Sequence, residues 1–132
     1  MSAGISISEY FDKDQLPKDI YGISRWGDGL ITVLENGHIG LCQPENPNSP
    51  PTDLTEIIKN LDQRGVTAPV LLRVTNFLRS RIDQINVSFN AAIDELAYKG
   101  KYRGVFPVKV NQQAPVVDRI IEFGRSYDFG LE

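Results

Sequence analysis

The sequence predicts an α/β fold: the opening βα units of a parallel (β/α)8 barrel, preceded by a small N-terminal β-hairpin segment. Three observations carry that prediction. Beyond residue 53, apolar runs of strand length alternate with segments of helical period, the pattern of βαβ units. Residues 30–42 hold two β-prone runs either side of an Asn-Gly pair. Between these regions Gln43-Pro-Glu-Asn-Pro-Asn-Ser-Pro-Pro51 carries four prolines in nine residues, which suits neither helix nor sheet interior. The implied organisation is an N-terminal β segment at 1–43, a proline-rich linker at 44–52 and the truncated first part of a barrel at 53–132.

Taken in order, Leu30–Leu34 and His38–Cys42 are the arms of a hairpin, with Glu35-Asn36-Gly37 as its turn. Upstream, Tyr21–Trp26 alternates in a strand-like way and predicts a third short strand of the same sheet. Leu54, Ile57, Ile58 and Leu61 fall at helical spacing, with Asp53 and Glu56 as a capping pair and Gly65 as the stop. Ala68–Val74 reads as a buried strand, followed by a longer helix with Leu78, Ile82, Ile85, Phe89 and Ile93 on one face. Tyr102–Val110 reads as the next strand. Pro115 opens a helix carrying Val116, Val117, Ile120 and Ile121, Gly124 ends it, and another strand begins at Tyr127. A complete barrel takes about 250 residues, so the chain predicts only two units and the start of a third.

Composition narrows the function. The 132 residues carry a formal charge of −3 with the two signs interspersed, which gives no electrostatic reason to expect nucleic acid or a membrane surface as partner. Met1–Ser8 lacks the basic and apolar regions of a secretory signal, and no apolar run approaches the roughly 20 residues of a membrane span. The single cysteine, Cys42, rules out an internal disulfide and suits a reducing compartment, so a cytoplasmic protein is expected.

Among the polar residues, Lys109 is the one whose context suits chemistry. It follows Val105, Phe106 and Val108 near the carboxyl end of a predicted strand, where barrel enzymes hold their catalytic groups. A lysine that attacks an aldehyde cofactor must be neutral at that moment, which apolar surroundings or a neighbouring cation favour. Position alone still favours an ordinary solvated lysine.

The surrounding string changes that balance. Tyr102-Arg-Gly-Val-Phe-Pro-Val-Lys-Val-Asn-Gln-Gln113 resembles the pyridoxal-lysine segment of the biosynthetic arginine decarboxylases. Tyr21–Gly29, Asn36-Gly-His38, Pro69–Arg73, Arg81-Ile82, Phe123-Gly124 and Tyr127–Glu132 also resemble that family, in the same order. The resemblance implies an alanine-racemase-like barrel with an added β domain, decarboxylation of L-arginine to agmatine on the way to putrescine and spermidine, and pyridoxal phosphate and Mg2+ as cofactors. It implies that Lys109 holds the pyridoxal phosphate, that Glu132 lies near cofactor and lysine, and that the full-length enzyme is a homo-oligomer. The family's glycine-rich phosphate loop, its carboxylate partner for the pyridine nitrogen and its catalytic cysteine lie on later strands, so an isolated chain of this length is expected to be inactive.

The remaining residues read as structural. Gly27-Asp28-Gly29 precedes a β-run rather than a helix and is a turn, not a phosphate loop. Cys42 reads as a packed thiol and Trp26 as a packing anchor, while Arg79 and Arg81 suit a solvated helix face and a contact with a partner subunit equally well. His38 lacks neighbours at ligand spacing, so no metal ligand set and no serine–histidine–aspartate set is assigned. Two alternatives stay open: a non-catalytic binding or regulatory module derived from such an enzyme, and a related basic-amino-acid decarboxylase.

Overall fold

The computed structural model describes residues 17–132, which fall into two compact units, one running to Val70 and one spanning Leu71–Glu132. The first sixteen residues of the predicted β segment, including the leader reading of Met1–Ser8, lie outside the described residues.

The first unit is built on the predicted hairpin. Strand β1 (Ile31–Val33) pairs antiparallel with β2 (Ile39–Leu41), Ile31 facing Leu41 and Val33 facing Ile39. Its turn is a three-residue loop, because the Leu34 N–H donates to the His38 carbonyl at 2.8 Å and only Gly37, at φ 82°, takes a positive φ. A third strand does join, but from the other side of the sequence: β3 (Thr52–Asp53) lies antiparallel to β2, with Gly40 facing Asp53. The proline stretch therefore loops within the first unit and returns the chain to the sheet, rather than separating two domains. Tyr21–Trp26 is not a strand. The chain instead makes two single turns, α1 (Pro17–Ile20) just before this segment and α2 (Ile23–Trp26) within it, hinged at Gly22, whose φ of 63° no extended strand could hold. Trp26 is no buried anchor either. It is 59% exposed, and its Nε1 donates to the Tyr21 carbonyl at 2.9 Å.

Helix α3 (Leu54–Gln63) follows β3 directly. Asp53 is its N-cap, accepting from the Thr55 N–H at 2.8 Å, whereas Glu56 turns outward to Lys59 at 2.7 Å instead of closing the reciprocal half of a capping box. At the other end Gly65, φ 79°, donates to the Asp62 carbonyl and Val66 to the Leu61 carbonyl, a Schellman stop.

The predicted strand at Ala68–Val74, which spans the boundary of the two units, is absent, and these residues are irregular. A parallel strand is hidden on both faces and bonded on both edges. Here no described strand pairs with this segment, and Leu71 is 73% exposed. Helix α4 (Thr75–Glu95) has the predicted length, with Ile82 and Asn86 buried; the Asn86 amide is satisfied by the Ile82 carbonyl at 2.7 Å. The next strand, β4, is shorter than predicted (Val105–Phe106), since the chain coils into a 3-10 turn at Val108–Val110. Helix α5 (Ala114–Gly124) starts on Pro115 and buries Ile120 against α4. The last strand, β5 (Gly130–Leu131), runs parallel to β4 with Val105 facing Gly130, so β4–α5–β5 is one complete βαβ unit. Phe129 is wedged between Gly104 and Gly124; a Cβ at either glycine would collide with its ring.

Candidate functional site

The residues singled out for chemistry, Lys109 and Glu132, lie just past the carboxyl ends of neighbouring parallel strands. Lys109 sits on the 3-10 turn after β4, one step beyond the strand position expected for it. That turn is fixed to β5 by the ladder: the Glu132 N–H donates to the Phe106 carbonyl at 3.0 Å and the Val108 N–H to the Glu132 carbonyl at 2.9 Å. Within the turn Val110 donates to Pro107 and Asn111 to Val108, both at 3.1 Å. The backbone thus holds both residues in register, and Lys109 Nζ lies 3.9 Å from Glu132 Oε1. Both side chains are open to water, at 75% and 68% exposure, so the pair adds little to stability. What it offers is an accessible amine with a carboxylate at hand.

A second set of polar groups flanks this turn in sequence. Asn111 Oδ1 accepts from the Gln113 N–H at 3.1 Å, ordering the entry to α5. Gln113 Oε1 accepts from Arg73 Nη2, which ties the irregular segment before α4 to the N-cap of α5. The contact between Arg73 and Gln113 was not legible in the sequence, where forty residues separate them.

Two further contacts escaped the sequence reading. Tyr127 donates its hydroxyl to Asp83 at 2.9 Å, joining the turn before β5 to α4, and that hydrogen bond raises the phenol above its ordinary value. His38 has the carboxylate partner that spacing did not reveal: Nδ1 lies 2.7 Å from Asp53 Oδ2, with Asn36 Nδ2 3.2 Å from the same oxygen. Partial burial works to raise the Asp53 carboxyl, but hydrogen bonds from His38, Asn36 and the Thr55 N–H outweigh it and leave the group at about 2. His38 therefore fastens the hairpin turn to the start of α3, which is a structural role.

Gly27-Asp28-Gly29 is a turn in the first unit, Arg79 stacks over the Phe123 ring at 4.4 Å, and Cys42 is a free thiol. Among the described residues no three His, Cys, Asp or Glu side chains are grouped to hold a metal ion. No described helix is long and apolar enough to cross a membrane. For pyridoxal phosphate, Lys109 offers an accessible primary amine for covalent attachment, but its surroundings are water and the Glu132 carboxylate rather than the apolar residues or cation expected around it.

No family model matches the chain. Among curated proteins it is 39% identical over 113 residues to the biosynthetic arginine decarboxylase of Prochlorococcus marinus (strain MIT 9303), covering 86% of this chain and 17% of that protein. The enzyme of the same name from Synechococcus sp. (strain RCC307) is 40% identical over 113 residues, and that from Gloeobacter violaceus 38% over 114, each with 86% of this chain and 18% of the relative covered. Among solved structures, the biosynthetic arginine decarboxylase SpeA from Campylobacter jejuni superposes with a TM-score of 0.75 at 31% identity, over 84% of this chain and 18% of that one. The chain spans less than a fifth of the length of these relatives.

Proposed function

The chain is homologous, over 86% of its length, to a segment of the biosynthetic arginine decarboxylases, and on that basis we propose that it is the amino-terminal part of such an enzyme, a lyase that decarboxylates L-arginine to agmatine. The observation that carries the proposal is the match itself, together with a lysine and a carboxylate 3.9 Å apart past the ends of two parallel strands. The complete enzyme is read as a (β/α)8 barrel of the alanine-racemase type, of which β4–α5–β5 supplies one unit, acting as a cytoplasmic homo-oligomer.

In this reading Lys109 anchors pyridoxal phosphate covalently, and Glu132 lies beside it. When bound, the cofactor supplies an electron sink for the carbanion left by loss of CO2. The chain's own residues do the rest of what this segment contributes. The β4–β5 ladder fixes the backbone around Lys109, so that the amine is carried just past the end of the sheet. Glu132 Oε1, 3.9 Å from Nζ, lies close enough to orient the lysine by ion pairing. Magnesium belongs to the same proposal through the family alone, and no residue of this chain is assigned to it.

The proposal is tested by grafting residues 20–132 in place of the matched segment of a full-length relative and assaying CO2 release from arginine. The chimaera is expected to be active and its Lys109→Ala form inactive; a Lys109→Ala chimaera as active as its parent would refute the assignment. The chain by itself is expected to release no CO2 from arginine. Turnover by the chain alone at a rate comparable with a complete enzyme would overturn the view that it is a part.

A further inference from the structure

Remote from Lys109, the amino-terminal ends of the same two strands border a pair of adjoining cavities. One, of about 360 Å3, is apolar and is walled by Phe89, Ile93 and Leu96 of α4 and by Tyr98. The other, of about 300 Å3, is polar and is lined by Asn86, Asn90, Arg103, Ser126 and Asp128. Ile93, Lys101 and Tyr102 line both, so the two compartments meet along one edge. Each volume lies at the lower end of the range for small-molecule sites.

Several features show a built surface. Just past the end of helix α4, Ala97 takes φ 49°, a left-handed conformation unfavourable for a residue with a Cβ. That turn lets the Tyr98 N–H reach the Ile93 carbonyl at 2.9 Å and brings the Tyr98 ring back over the apolar cavity. Gly100 then passes so close beneath the Tyr98 ring that a Cβ there would collide with it. Phe89 and Tyr102, which both line the apolar cavity, stack face to face with centroids 4.0 Å apart and planes 3° from parallel, so each holds the other in place as part of its aromatic wall. In the polar compartment the one carboxylate of the lining, Asp128, is already engaged by Arg103 at 3.5 Å. Tyr127, which also borders that compartment, spends its hydroxyl on Asp83. Lys101 has no ion-pair partner among the described residues and stands at the boundary of the two compartments. With Arg103, it leaves the polar side net positive.

We infer that the end of α4 and the loop entering β4 form a binding site for a small amphipathic anion. Its flat apolar body lies against Phe89, Leu96 and Tyr98, and its single anionic head sits in the polar compartment beside Lys101, with the Asn90 amide and Ser126 hydroxyl as further donors. An apolar molecule would leave the cation unused, and a bare anion would leave the aromatic wall unused, so the linked ligand gains from both parts.

The test titrates the chain with 1-naphthyl phosphate, and separately with 1-naphthol and inorganic phosphate, following backbone amide shifts. The ester is expected to bind at least about tenfold more tightly than either part, to shift Ile93, Tyr98, Lys101 and Tyr102 most, and to lose about that factor in Lys101→Met. Lys101 is exposed, so the substitution leaves the fold intact. Lys59→Met, in the other unit, should change nothing. Naphthol binding as tightly as the ester, shifts spread over all exposed apolar residues, or full affinity in Lys101→Met would each overturn the inference.

Discussion

The two units make their folds by different means. Among the described residues up to Val70, local chemistry sets the hairpin turn and both ends of α3, through an Asn-Gly turn, a side-chain N-cap and a Schellman stop, while β3 and the contacts of His38 and Asn36 with Asp53 close the unit across the proline loop. From Leu71 onward the defining contacts are long-range, with β4 and β5 twenty-five residues apart in register and α4 packed on α5. Among the described residues the second unit also leaves more apolar side chains open: Leu71, Val87, Leu96, Val105 and Val110 are each more than half exposed. Local signals suffice to form small antiparallel elements, whereas parallel strands need neighbours on both sides to reach full length.

The largest test of that contrast is Ile120→Ala. Ile120 is 2% exposed, and emptying its place costs about 2–5 kcal/mol. Denaturant unfolding followed by residue-resolved NMR is expected to show Leu71–Glu132 melting early while the amides of β1 and β2 keep their protection. Simultaneous loss of both units would abolish the distinction.

Tyr127→Phe is expected to cost the second unit about 1–2 kcal/mol by removing the bond to Asp83. Because the folded phenol is raised above 10.0, the contribution is complete below pH 10 and disappears as pH rises through the folded value. Wild type and variant should therefore converge in strongly alkaline solution, which thermal melts across that range will check.

In the first unit the dependence runs the other way. Asp53 falls from 3.8 to about 2 on folding, so its stabilising effect is complete above pH 3.8 and is lost as pH falls towards 2. Circular dichroism between pH 2 and 5 should show an acid loss of hairpin and α3 structure in wild type. Asp53→Asn should be weaker at neutral pH and flat over that interval. The smallest effect is expected for Lys109→Ala, an exposed side chain whose removal should leave both units' unfolding unchanged.

What could be read from the sequence follows the same division. The hairpin, the capping by Asp53, the stop at Gly65 and the start at Pro115 were legible because each depends on residues within a few positions. Tyr21–Trp26 misled because its alternation satisfied a strand pattern while Gly22 permitted a turn. Ala68–Val74 misled in the opposite sense: its residues suit a buried strand, but no described strand pairs with it. The partner of His38 was hidden because it depends on β3, and a stretch read as a linker hid that strand. Lys109 was found from its surrounding string, while its distance from Glu132 depends on parallel pairing that no local pattern encodes.

The central claim, that Lys109 holds the cofactor, is tested most directly by incubating the chain with pyridoxal phosphate, reducing with borohydride and mapping the modified peptide. The account predicts label concentrated at Lys109 and lost in Lys109→Ala. Label spread evenly over the chain's other lysines, with Lys109 no more modified than the rest, would contradict it.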